Sequence, residues 1–259
     1  MHSVSSDQAL NELQREFVSW NAERLNVPFK QALERFLASQ SAFPDGHRGR
    51  KFRRFCGTSY KAFLPFFSDD AEELEESYKF FSLLHFLRML SYGYTPWPHS
   101  DEIIRQLSNK KNIMIIDYGC GLAQASFWFA DRLRFAGVEV SLTLVDFPTL
   151  RKDFLTWKCA KDGIPLIFID ADGERPASAL PNAQLCIATE FFEHVRNPIH
   201  YFEVIDRALE PGSWILTNTE DHRDEFMHVS PNLAELREHI EKEGYKHFAA
   251  NRVIQKPQP

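Results

Sequence analysis

The chain has 259 residues, of which 44% are hydrophobic and 25% charged, so it can bury a core and is neither disordered nor fibrous. Lysine and arginine number 30 against 36 acidic residues, and the net charge of −6 argues against a broad phosphate-binding surface. The polar opening and the lack of a long apolar run predict a cytoplasmic protein without a signal peptide or a membrane partner.

Residues 1–110 are expected to form a helical segment that acts as a lid and specificity wall for a small-molecule substrate. Apolar residues recur at three-to-four spacing from Leu10 to Trp20, and a further helix is predicted to begin at Ser68 or Asp69 and to reach Leu90. The same apolar residues could instead form a core or a homodimer face. The basic run at 47–54 is either an anion-binding patch or a solvated helix face.

From Asn112 onward, short apolar runs alternate with amphipathic stretches. Strands are predicted at 113–116, 138–145, 165–169, 184–189 and 213–218, and helices at 123–136, 150–161, 198–209 and 231–243. Residues 245–255 are expected to add an edge strand or a hairpin. This alternation predicts an α/β fold in residues 111–259, with a mostly parallel, Rossmann-like sheet and helices on both faces.

The loops that follow the first two strands carry a candidate ligand site, because open parallel sheets bind ligands beyond the carboxyl ends of their strands. Gly119 and Gly121 permit a tight turn and a close approach of a ligand to the backbone. Gln124 stands where a dinucleotide-binding turn has its third glycine, which disfavours NAD. Asp146 can accept hydrogen bonds from both hydroxyls of a ribose, and the Phe147 ring can cover a purine.

Five segments, in order, resemble the motifs of class I S-adenosylmethionine-dependent methyltransferases: 115–123, 144–147, 169–173, 185–198 and 208–216. The resemblance implies that S-adenosylmethionine is the cofactor, with its methionine part over the glycine turn, its ribose on Asp146 and its adenine amine near Asp170 or Asp172. Ala123 replaces a glycine that many members carry. The residues assigned to the cofactor are Asp117, Gly119, Cys120, Gly121, Ala123, Asp146, Phe147, Asp170, Asp172 and Thr189.

The loop after the fourth strand carries two carboxylates and an imidazole. If it forms the first turn of a helix, Glu190, Glu193 and His194 share one face. Together with His222 or His228 they are similar to the ExxEH plus His pattern of metal-dependent O-methyltransferases, such as small-RNA 2′-O-methyltransferases and ubiquinone-pathway O-methyltransferases. A divalent Mg, Mn or Zn ion there would lower the pKa of a substrate hydroxyl. Without metal, His194, His222 or His228 is the candidate general base.

The sequence therefore predicts an enzyme that transfers a methyl group from S-adenosylmethionine to a small molecule, on a hydroxyl oxygen. An RNA 2′-O-methyltransferase is the first alternative, although the net negative charge makes a nucleic-acid partner unexpected. A non-catalytic subunit that keeps the methyltransferase fold is the second, and a nicotinamide-dependent oxidoreductase is the third.

Overall fold

The computed structural model describes residues 10–63, 66, 76–77, 79–172, 175–221 and 228–258. In this part of the chain, helices precede the first strand, as the sequence predicts: α1 Glu12–Leu25, α2 Phe29–Ser41, α3 Arg50–Phe63, α4 Ser82–Met89 and α5 Ser100–Leu107. The side chain of Asn11 accepts a hydrogen bond from the Gln14 amide and caps α1. The predicted helix start at Ser68 or Asp69 lies outside the described residues.

The remaining elements form a seven-stranded sheet with its connecting helices. The strands are β1 Asn112–Tyr118, β2 Glu139–Asp146, β3 Leu166–Asp170, β4 Ala183–Ala188, β5 Leu209–Thr217, β6 Lys246–Ala249 and β7 Val253–Gln255. The helices are α6 Gln124–Phe135, α7 Leu150–Asp162, α8 Pro198–Ala208 and α9 Ala234–Lys242. The sheet order is β3-β2-β1-β4-β5-β7-β6. Strands β1 to β5 are parallel, and β7 and β6 join them as an antiparallel hairpin at the edge. The predicted α/β fold and its terminal hairpin are confirmed.

Consecutive strand residues face opposite sides of the sheet, as the period of two requires. Ile115 belongs to an apolar cluster with the amino-terminal helices, α6 and α7, whereas Ile116 belongs to a second cluster with α8 and α9. In the first cluster, the Phe86 ring of α4 lies 5.0 Å from Phe17 and 5.4 Å from Phe154. These contacts fix α4 against α7.

The fifth strand begins earlier than predicted. The sequence favours Ser213 as its start because Pro211 and Gly212 interrupt the apolar run, but Leu209 already pairs with Ala183. The register shifts before the next pair, and Gly212 takes a left-handed φ of 78°, so the interruption is absorbed as an irregularity within the strand. None of the described helices has the length and apolar character that crossing a bilayer requires.

Candidate functional site

The turn after β1 is held in a conformation that suits glycine. Gly119 and Gly121 have φ values of 71° and 55°, and Ala123, which precedes α6, has a φ of 50°. A Cβ atom at position 119 would lie 2.7 Å from Cδ2 of Phe191. Both conformation and space therefore require glycine at 119, and Ala123 adopts a left-handed φ that glycine reaches at lower cost.

Asp146, at the carboxyl end of β2, is fixed by hydrogen bonds on both oxygens. Its Oδ2 accepts from the backbone amide of Gly121 at 2.7 Å, and its Oδ1 accepts from the amide of Phe147 at 2.7 Å. The Arg151 guanidinium adds an ion pair, with Nη2 at 3.1 Å from Oδ1, and both side chains are buried. The structure thus brings Asp146 and the glycine turn together at the point where the sequence predicts a ribose site.

Asp117 lies beneath the turn, where its Oδ2 accepts a hydrogen bond from the Ser126 hydroxyl at 2.7 Å. Burial, which outweighs this hydrogen bond, raises the pKa of Asp117 to about 8. Burial, together with the charges of Asp146 and Asp117, raises the pKa of the Cys120 thiol well above its usual value. Its burial and raised pKa both disfavour a thiolate at Cys120.

The other residues assigned to the cofactor follow β3 and β4. Asp170 is the register partner of Asp146 on the neighbouring strand, but its side chain is exposed and pairs with Lys152 at 2.6 Å. Asp172 is also exposed, and its Oδ1 accepts a hydrogen bond from the Arg175 amide at 2.9 Å. Thr189 is half-buried directly after β4. Asp170 thus lies beside Asp146 in the sheet, while Asp170 and Asp172 each have a partner of their own.

Met89 and Phe191 cover the glycine turn. The Met89 methyl occupies the space that a Cβ at Gly121 would need, and the Phe191 ring lies against Gly119. Gln124 ties the end of α4 to the turn, since its Nε2 donates to the carbonyls of Met89 at 3.3 Å and Tyr92 at 3.0 Å. The glycine turn allows close approach to the backbone and the buried acid at the end of β2 can accept hydrogen bonds from a ribose, so these residues suit a nucleoside cofactor.

The predicted helical turn after β4 is not formed. Phe192–His194 is a single 3₁₀ turn, and Glu190 has a left-handed φ of 52°. The Oε1 of Glu190 accepts a hydrogen bond from Asn218 at 2.6 Å, which leaves Glu190 outside the histidine cluster described below. The shared helical face expected for Glu190, Glu193 and His194 is therefore wrong, because the helix begins only at Pro198.

Tertiary contacts bring Glu193, His194 and His228 together instead. One ligand atom of each lies within 4.8 Å of the others, Glu193 is fully buried, and the two imidazole rings are 4.9 Å apart. Ser230 docks this segment, since its amide donates to the Glu193 carbonyl at 3.0 Å and its hydroxyl to the Val195 carbonyl at 2.6 Å. His222 lies outside the described residues.

Three residues escape sequence reasoning: Met89 above Gly121, Arg151 beside Asp146, and His85 one helical turn before Met89. They reach the site through the packing of α4 and α7, and no motif or spacing marks them. Gln124 was visible only as a departure from the dinucleotide pattern.

Solved structures similar to this chain include a cyclase and two proteins described as methyltransferases. The [4+2]-cyclase SpnF is 15% identical, with a TM-score of 0.49 over 71% of this chain and 75% of its own. A structure described as a class I S-adenosylmethionine-dependent methyltransferase from Listeria monocytogenes is 14% identical, with a TM-score of 0.46 over 95% of this chain and 88% of its own. A SAM-dependent methyltransferase from Aquifex aeolicus is 14% identical, with a TM-score of 0.42 over 60% of this chain and 86% of its own.

All three TM-scores lie below 0.5, so these similarities assign no activity to this chain, and one of the three structures is named as a cyclase. No family model matches the sequence, and no curated protein matches it.

Proposed function

We propose that this protein is an S-adenosylmethionine-dependent methyltransferase that acts on the hydroxyl oxygen of a small molecule. The observation that carries the proposal is the pairing of Asp146 with the glycine turn. A buried carboxylate at the end of β2 is hydrogen-bonded to the amide of Gly121, at the edge of the sheet where nucleosides bind. The five motif resemblances in the sequence support the same cofactor.

The chain's own residues can bind the cofactor, orient the acceptor and enclose both. Asp146 would accept hydrogen bonds from the ribose, while Gly119 and Gly121 let the methionine part approach the backbone. S-adenosylmethionine, when bound, supplies a methyl group already activated by its sulfonium sulfur. The protein's task is therefore to align an acceptor with that group and to exclude water. Phe191 and Met89, which cover the turn, would exclude water from it.

We further propose that Glu193, His194 and His228 hold a divalent cation. One carboxylate and two imidazoles form a donor set that suits Zn²⁺ or Mn²⁺ better than Mg²⁺, which prefers oxygen ligands. An ion there would lower the pKa of an acceptor hydroxyl and orient its oxygen. If the ion is absent, the two histidines are the candidate bases.

An RNA 2′-O-methyltransferase is the second candidate, and one observation favours it. Arg50, Lys51, Arg53 and Arg54 of α3 are exposed, and none of them makes an ion pair within the described part of the chain. The net charge of −6 and the small extent of this face support a small acceptor instead. A non-catalytic subunit is less well supported, because the glycine turn and Asp146 are both intact.

Methyl-labelled S-adenosylmethionine distinguishes these candidates. The purified chain would be incubated with a panel of phenols and catechols and, separately, with short RNAs that have a free 3′ end. We expect label in the small-molecule fraction. Label in RNA would establish the second candidate. Cofactor binding without transfer to either class, repeated after Zn²⁺ and Mn²⁺ addition, would support the non-catalytic subunit.

A further inference from the structure

Helix α4 passes over the proposed cofactor site. Met89, at its carboxyl end, covers Gly121, and the hydrogen bond from Gln124 to the Met89 carbonyl holds that end in place. His85 lies four residues earlier, so the helical repeat puts it on the same face as Met89, one turn away. The buried Phe86 between them packs on Phe154 of α7 and fixes the orientation of the helix.

The electrostatic neighbours of His85 locate it more closely. Burial, and after it the positive charges of Arg151, Arg88 and His194 in that order, lower the pKa of His85 to about 4. Arg151 is the ion-pair partner of Asp146, and His194 belongs to the Glu193–His194–His228 cluster. The Nε2 atom of His85 is shielded from solvent. His85 is therefore close enough to the Asp146–Arg151 pair and to the histidine cluster to feel the charges of both.

We propose that His85 lines the methyl-transfer centre and faces the sulfonium methyl on the side from which the methyl-accepting compound enters. This inference rests on the methyltransferase function proposed above. A neutral imidazole has one nitrogen that donates a hydrogen bond and one that accepts a hydrogen bond. The methyl-accepting compound that suits His85 is therefore a neutral molecule with a hydroxyl group.

The charge state of His85 agrees with this position. A protonated imidazole would repel both Arg151 and a sulfonium, whereas a pKa of about 4 keeps the ring neutral at physiological pH. A neutral ring can share the centre with a cationic cofactor and still hydrogen-bond an acceptor.

The position can be tested without knowing the acceptor. S-adenosylmethionine and S-adenosylhomocysteine differ in the sulfonium methyl and its charge, so the ratio of their Kd values reports charges close to the sulfur. His85→Lys should weaken the binding of S-adenosylmethionine, relative to that of S-adenosylhomocysteine, by about tenfold or more. This is the effect expected when two like charges lie a few ångströms apart in a partly buried site. His85→Glu should shift the ratio in the opposite direction, and His85→Gln should leave it unchanged.

Leu83→Lys is the matched control, because Leu83 is an exposed residue of the same helix and gains the same charge. Calorimetry of the full chain with both ligands gives the ratios of the Kd values. If the lysine variant fails to fold, His85→Glu is compared with the control instead. Ratios for His85→Lys and His85→Glu equal to that of Leu83→Lys, with S-adenosylhomocysteine binding intact, would overturn the proposal. Absence of binding to the unmodified chain would instead overturn the methyltransferase function, so the two failures are distinguishable.

Discussion

Arg151 and Asp146 form a buried ion pair at the end of β2, with 3.1 Å between Nη2 and Oδ1. The same carboxylate receives the Gly121 amide at 2.7 Å, so the pair and the glycine turn are one hydrogen-bonded unit. Removing one member of a buried pair leaves the other charge uncompensated, which costs about 3–5 kcal/mol. A ribose bound here would share the Asp146 oxygens with Arg151.

Asp146→Asn should lower the affinity for S-adenosylhomocysteine by about tenfold or more, because a neutral amide loses the charge-assisted hydrogen bonds to the ribose. The double variant Asp146→Asn/Arg151→Met removes both charges and separates binding from folding. Calorimetry gives the affinity, and thermal melting checks the fold. Asp101→Asn, which removes an exposed carboxylate of α5, is the control. Unchanged affinity in the folded double variant would contradict the ribose assignment.

Met89→Ala should raise the affinity for S-adenosylhomocysteine several-fold. The Met89 methyl occupies the space above Gly121. Without this side chain, the cofactor can bind there and no longer has to displace the methyl. Leu83→Ala, on an exposed position of the same helix, should leave the affinity unchanged. A weaker affinity in Met89→Ala would show that the thioether is a cofactor contact and not an obstacle.

Asp117 gives the fold a specific pH dependence. Its pKa rises from 3.8 to about 8 on folding, so the folded chain retains a proton that the unfolded chain loses. The stabilising contribution is full below about pH 4 and is lost as the pH rises to about 8. Asp117→Asn keeps an acceptor for Ser126 and should remove this slope. Urea unfolding of both proteins between pH 5 and 8.5 measures the difference, and parallel stability curves would refute the assignment.

Metal binding should depend on Glu193 and not on Glu190. Glu193→Gln removes a charged ligand from the three-residue cluster and should lower Zn²⁺ or Mn²⁺ affinity at least tenfold. Glu190→Gln, whose carboxylate is bonded to Asn218, is the matched control. Elemental analysis after metal loading and dialysis gives the stoichiometry. Equal metal content in the two variants, or none in the unmodified chain, would remove the metal proposal.

The sequence predicts those parts of the fold that depend on local periodicity. The parallel strands have strong apolar patterns, and the left-handed turn at Gly119 and Gly121 follows from residue type alone. The predicted start of β5 at Ser213 is wrong, because a glycine in a strand pattern usually marks an interruption, whereas the pairing of Leu209 with Ala183 extends β5 across the irregularity at Gly212.

The site is less predictable because its members come from distant elements. His228 meets Glu193 only because Ser230 docks on the 3₁₀ turn, and a helical-spacing argument cannot detect that contact. Arg151 and Met89 belong to helices whose sequences are ordinary, and their roles arise from the packing of α4 and α7. Side-chain pairing across the core must be seen in three dimensions.

Calorimetric titration of the full chain with S-adenosylhomocysteine and, in parallel, with NADH tests the central claim most directly. The account predicts saturable binding of S-adenosylhomocysteine at one site per chain and no measurable heat with NADH. Binding of NADH without binding of S-adenosylhomocysteine, or binding of neither, would contradict it.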